Sequence, residues 1–144
     1  MANLLLPYPP VAKPYTLGGG TTGTQPTFTG DPMFYGNYLK TGDLVYFDAQ
    51  VDFDNIISFG TGQYYLTLPV VSRYEVMFRQ GCLHDVSAGI EYHISGSVEA
   101  DSDQVFLFTT DRAGNRIYDF AFSQGEPVTL STADNFHLSG SYIC

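Results

Sequence analysis

The sequence predicts an all-β protein, an antiparallel β-sandwich (jelly-roll-like) of about eight strands behind an extended N-terminal arm. Three observations carry this expectation. Apolar and polar residues alternate in short runs from residue 31 onward, turn-forming clusters separate the runs, and no window holds an apolar stripe of helical period. Composition agrees, since 11 Tyr, 11 Phe and 15 Gly in 144 residues favour strands and tight turns over helices.

The arm comes first. Residues 1–30 hold five prolines (Pro7, Pro9, Pro10, Pro14, Pro26), the run Gly18-Gly19-Gly20 and a threonine-rich stretch, with no sustained period of two or 3.6. Proline fixes φ and lacks a donor, so the first part reads as extended, and the glycine-threonine part as flexible. An arm of this kind frays unless its own or a neighbouring subunit holds it. The expected division is therefore an arm over 1–30 and a sandwich domain over 31–144. One domain suits the length, because single domains commonly run ~100–150 residues.

The strands follow in order. The clearest is 44–53, where Val45, Phe47, Ala49, Val51 and Phe53 alternate with Leu44, Tyr46, Asp48, Gln50 and Asp52. Period two places the first set on a core face and the second outward. Similar alternation marks 33–40, 63–68, 73–80, 89–97, 104–109, 116–122 and 135–143. Turns at Lys40–Asp43, Gly60–Gly62, Asp111–Asn115 and Ser123–Pro127 separate them. Pro69 is expected to close an edge strand, where a missing donor costs little. Ser131–Asp134 makes one turn at most.

The formal charge of −9 excludes sequence-independent nucleic-acid binding and attraction to anionic membranes, both of which need a basic face. No apolar run approaches the ~20 residues that span a bilayer. The start MANLLLPYPPVAKPY lacks the basic region of a signal peptide. Cys82 and Cys144 make no disulfide framework and are read as free thiols.

Candidate chemistry is weighed against plainer readings. Asp48 and Asp52 share an outward face, with Asp54 just beyond, and paired carboxylates serve glycoside hydrolysis; acids on a half-buried strand also simply keep its polar face solvated. Glu99-Ala100-Asp101-Ser102-Asp103 offers alternating oxygens for calcium but lacks the glycine and closing glutamate of the helix-loop-helix pattern, which favours a solvated hairpin tip. His84, His93 and His137 with Cys82 match no compact zinc spacing, although threefold assembly could bring one histidine per subunit to an axis. No nucleophile elbow or phosphate-cradling glycine loop is present, so neither a catalytic site nor a cofactor nor a metal is expected. Tyrosine is the remaining signal. Tyr64 falls in the inward phase and Tyr65 in the outward one, and outward tyrosines suit subunit contacts. Tyr46, Tyr65 and Tyr118 are the interface candidates.

Two stretches carry a resemblance. Gly36-Asn37-Tyr38-Leu39-Lys40-Thr41-Gly42-Asp43-Leu44-Val45 has the form G-x-Y-x-x-x-G-D-x-V, and Phe59 to Val70 has the form F-G-T-G-x-Y-x-x-x-L-P-V; Gly140-Ser141-Tyr142 closes the chain as G-x-Y. The sequence resembles the small jelly-roll or sandwich domain of tailed-bacteriophage virion proteins. The resemblance implies a homotrimer and a place in the virion, assembled in the host cytoplasm. The first role it implies is a capsid decoration (cement) protein on the outer capsid surface. It would bind the major capsid protein through Leu4, Leu5, Leu6, Pro7, Tyr8, Pro9, Pro10 and Tyr15 of the arm. The alternative is a receptor-binding tail-fibre tip or head spike, with a host surface glycan as partner and its sites in loops such as 54–63, 99–104 and 111–116.

Overall fold

The computed structural model describes the backbone of residues 11–113 and 116–144, and the side chains there apart from 111–119. Twelve strands run through these residues: β1 (Lys13–Tyr15), β2 (Gly19–Thr21), β3 (Thr27–Phe28), β4 (Met33–Thr41), β5 (Leu44–Asp52), β6 (Ile56–Ser58), β7 (Tyr64–Ser72), β8 (Val76–Asp85), β9 (Ile90–Val98), β10 (Ser102–Ala113), β11 (Arg116–Ala121) and β12 (Asn135–Ile143). No helix occurs among the described residues. All eight expected strands are present, within a few residues of their expected ends. Four short ones (β1, β2, β3, β6) carry too few residues to show a period.

Hydrogen bonding is continuous along β1-β4-β5-β12-β8-β9-β10-β7-β2, antiparallel at every step, with β11 paired to β10; β3 and β6 form a separate ribbon. The all-β antiparallel expectation stands. The architecture is one curled sheet, where a two-sheet, jelly-roll-like sandwich was expected. Alternation tells which side of a strand is buried, and a sheet folded over its own face satisfies the same pattern as two sheets laid together.

The core lies inside the curl. Val45, Phe47, Ala49, Val51 and Phe53 are each at most 2% exposed, while Leu44, Tyr46, Asp48 and Gln50 between them face outward. Leu66, Leu83, Ile94, Val98, Val105, Leu107, Phe136 and Leu138 complete the inner surface from five other strands. Each such side chain contributes roughly 1.5–3 kcal/mol on burial. The aromatic members meet edge-on: Phe47 packs on Phe78 at 4.8 Å and Phe122 on Phe136 at 5.2 Å.

The two lateral edges of the sheet are joined by one piece of chain. β1 lies beside β4 at one edge and β2 beside β7 at the other, with only Thr16, Leu17 and Gly18 between them. Lys13–Thr21 is thus a strap across the opening of the curl. Tyr15, opposite Gly36 on β4, reaches across to donate its hydroxyl to the Thr67 carbonyl on β7 at 3.2 Å. Gly36 leaves the room that the Tyr15 ring fills: a Cβ there would lie 2.5 Å from a ring carbon. The Gly18 amide donates to Thr67 Oγ1 at 2.8 Å, and the Thr67 amide to the Gly18 carbonyl at 2.9 Å. Three short strands within the expected arm, β1, β2 and β3, therefore pair with strands of the body. Leu4 to Pro10, the rest of the anchoring set, lie outside the described residues.

Pro69 does not end its strand. β7 continues through it to Ser72. Pairing with β10 passes from Thr67↔Gln104 to Ser72↔Ser102, so β7 carries extra residues against a single one on β10. Pro69 sits in that bulge, where its missing N–H breaks no ladder bond. Beside it, the Tyr142 hydroxyl donates to the Val70 carbonyl at 2.7 Å and accepts from the Val70 amide at 3.2 Å.

Candidate functional site

The turn before β7 anchors the strap's far end. Gly60 and Gly62 have φ of 73° and 90°, a region open to glycine at little cost. The Thr61 amide donates to the Thr24 carbonyl at 2.9 Å, the Gly23 amide to the Thr61 carbonyl at 3.0 Å and the Gln63 amide to Thr22 Oγ1 at 3.0 Å. Tyr64 then enters the core and donates its hydroxyl to the Phe59 carbonyl. Burial raises its pKa well above the ordinary phenol value. Burial also raises that of Tyr15, helped by Tyr142 and Asp48, and pushes Tyr142 up to about 12 against the opposing effect of the Val70 amide.

The interface candidates separate. Tyr46 is 47% exposed on β5. It stands beside Leu44, opposite Leu39 of β4 and one outward step from Ile143 of β12, which makes a small apolar patch across three strands. Tyr65 is half-buried, packed on Phe106 at 6.0 Å. The side chain of Tyr118 lies outside the described residues. Tyr15, an expected anchor, is engaged within the chain as described above.

The weighed chemistry can now be placed. Asp48 and Asp52 lie four residues apart on one strand, roughly 13 Å at ~3.3 Å per residue, beyond the ~5–9.5 Å that a glycosidase pair spans; Asp52 also accepts from Gln50 Nε2 at 2.9 Å. His137, Cys82 and His93 fall opposite one another on β12, β8 and β9. With strands ~4.8 Å apart, the outer two stand roughly 10 Å from each other, and the His93 ring is turned to the Arg79 carbonyl at 2.8 Å. Among the described residues no group of three or more His, Cys, Asp or Glu side chains could hold a metal ion. Both cysteines are free. Burial, then the nearby Glu91 carboxylate, raises the Cys82 pKa. Residues 99–101 form the β9–β10 hairpin tip, with Asp101 at φ 58° and its amide on the Ser72 carbonyl at 2.8 Å.

One surface escaped the sequence reading. Phe106 and Phe108 stand on the outward phase of β10, opposite in direction to the buried Val105 and Leu107. With Gln63, Ser97 and Glu99 they line a groove of about 280 Å³ open to solvent. The signal was available in Val-Phe-Leu-Phe, where both phases are apolar and one must face out.

No known protein family and no curated protein matches the sequence. Among solved structures the fold is similar to the Dettilon tailspike protein (gp208), with a TM-score of 0.61 at 20% identity over 92% of this chain. The chain spans only 23% of that protein's length, so the likeness is to a part of it and concerns the fold.

Proposed function

We propose that this chain is a non-enzymatic structural protein of a tailed-phage virion, placed on the tail as a surface-recognition module. The observation that carries the reading is the curled antiparallel sheet shared with part of a tailspike protein. The phage-like motifs at 36–45 and 58–70 support it independently: Gly42-Asp43 makes the β4–β5 turn, and Gly60–Gly62 anchors the strap. The cement reading placed its anchor on the major capsid protein at residues 4–10 and Tyr15 of the arm. Tyr15 is engaged within the body, and β1, β2 and β3 pair with its strands, which supports the tail placement. The module works as a homotrimer, with the Leu39, Leu44, Tyr46 and Ile143 patch covered by a neighbouring subunit, since contiguous exposed apolar surface marks such contacts.

Purified full-length chain added to host cells ahead of phage tests the reading. Recognition predicts blocked adsorption at saturating protein. Unchanged adsorption, together with binding of the chain to capsids that lack it, would instead establish the cement role.

A further inference from the structure

We propose that the groove on the outer face of the sheet, where β10 runs between β7 and β9, binds a neutral saccharide. The inference deepens the surface-recognition reading and rests on it for its biological meaning, but the site is argued from its own chemistry. Its floor is aromatic. Phe106 and Phe108 are half-buried on consecutive outward positions of β10, and Tyr65 packs against Phe106 with the rings inclined at 54°. Half-burial holds such rings in place while leaving ring surface open, so little side-chain entropy is lost when a ligand lies on it. A pyranose ring offers a matching surface of polarised C–H groups, which the negative face of an aromatic quadrupole attracts.

The rim is polar. The Gln63 amide nitrogen donates to the Leu107 carbonyl at 2.8 Å, which fixes the amide plane and leaves Oε1 as an acceptor. Ser97 lies directly opposite Phe106 on β9, and its hydroxyl can donate or accept. Glu99, exposed just past the end of β9, supplies a carboxylate that accepts from two vicinal hydroxyls. A few directed polar groups around an aromatic floor are the pattern of small-molecule sites.

Charge decides the class of sugar. Glu99 stands at the start of the hairpin tip that also carries Asp101, with Asp103 just beyond on β10, and the chain has a formal charge of −9. Among the described residues no Lys or Arg side chain lines the groove. An anionic ligand such as a sialylated or phosphorylated sugar would meet uncompensated repulsion, whereas a neutral one meets hydrogen-bond acceptors. The groove is shallow and open, so affinity for a short oligosaccharide is weak, on the order of 0.1–1 mM.

Saturation-transfer difference NMR of the full chain tests the site with lactose, maltotriose, mannotriose and chitotriose as neutral probes and sialyllactose as the anionic one. At least one neutral probe receives saturation, and sialyllactose receives less than lactose. Phe106→Ala and, on the exposed rim, Glu99→Gln each lower the neutral signal at least fivefold, and an unchanged thermal melt of Glu99→Gln excludes loss of fold as the cause. The proposal is overturned by silence from every neutral probe, by stronger binding of sialyllactose, or by binding that survives both substitutions. It is equally overturned if Phe106→Ala changes the oligomeric state without any sugar bound to the parent, because the groove is then a subunit contact. The adsorption assay separates the two readings: silent probes with adsorption still blocked refute the site alone, and bound probes with adsorption unaffected refute the recognition role alone.

Discussion

Strand β5 and the strap Lys13–Thr21 lie in the same hydrogen-bonded sheet, yet they are held there by different forces. β5 places Val45, Phe47, Ala49 and Val51 in the core and pairs along its whole length with β4 and β12. The strap buries only one large apolar side chain fully, Leu17. It depends on backbone bonds to β7, on threonine side chains at the 60–63 turn, and on Tyr15 reaching the opposite edge. Its three glycines permit the close approach: a Cβ on Gly19 would sit 3.0 Å from the Tyr65 carbonyl oxygen. Apolar burial thus makes the curl, and local polar geometry closes it.

If that division is right, substitutions in the two regions differ in size and in what they unfold. Phe47→Ala removes a ring fully enclosed by Phe78 and Tyr142 and is expected to cost about 3–5 kcal/mol. Urea denaturation should show the whole transition moving to lower denaturant with its cooperativity intact. Gly60→Val comes next. It forces a β-branched residue to positive φ and against the Thr24 carbonyl, which costs about 1–3 kcal/mol. Hydrogen exchange should then speed up at Thr61 and Gly23 while amides of β5 and β12 stay protected. Loss of protection throughout would show that strap and body form one cooperative unit. Tyr15→Phe keeps the ring over Gly36 and removes only the bond to Thr67, for about 0.5–1.5 kcal/mol.

Two further effects appear at extremes of pH. Tyr142 is raised from 10.0 to about 12 by burial. Its contribution is present below pH 10 and is lost as pH rises from 10 to about 12, so the alkaline loss of stability should flatten in Tyr142→Phe. Asp85 has the opposite sign. Bonds from the Ser87 hydroxyl and the Ala88 amide lower its pKa, so its contribution is present above the ordinary carboxyl value and lost as pH falls through the lowered one. Asp85→Asn should remove that part of the acid dependence in thermal melts between pH 2 and 5.

The same contrast explains what the sequence made legible. Alternation in 44–53 and 135–143 reads directly as burial, and the opposed phases of Tyr64 and Tyr65 hold in the structure. The strap was unreadable because three-residue strands have no period, and Gly18-Gly19-Gly20 signals flexibility as easily as close packing. Pro69 misled because a bulge that removes the need for a donor depends on β10, some 35 residues later in the chain. The Phe106 and Phe108 groove needs β7 and β9 to flank β10, a neighbourhood that local pattern does not encode. Asp48 and Asp52 looked like a pair in sequence, and strand geometry alone holds them apart.

The placement of the chain on the particle decides the central claim. Gold-labelled antibody against the full chain, viewed on intact virions by electron microscopy, should decorate the tail and leave the head shell bare. Label spread over the capsid surface with a bare tail would contradict the account and return the chain to a cementing role.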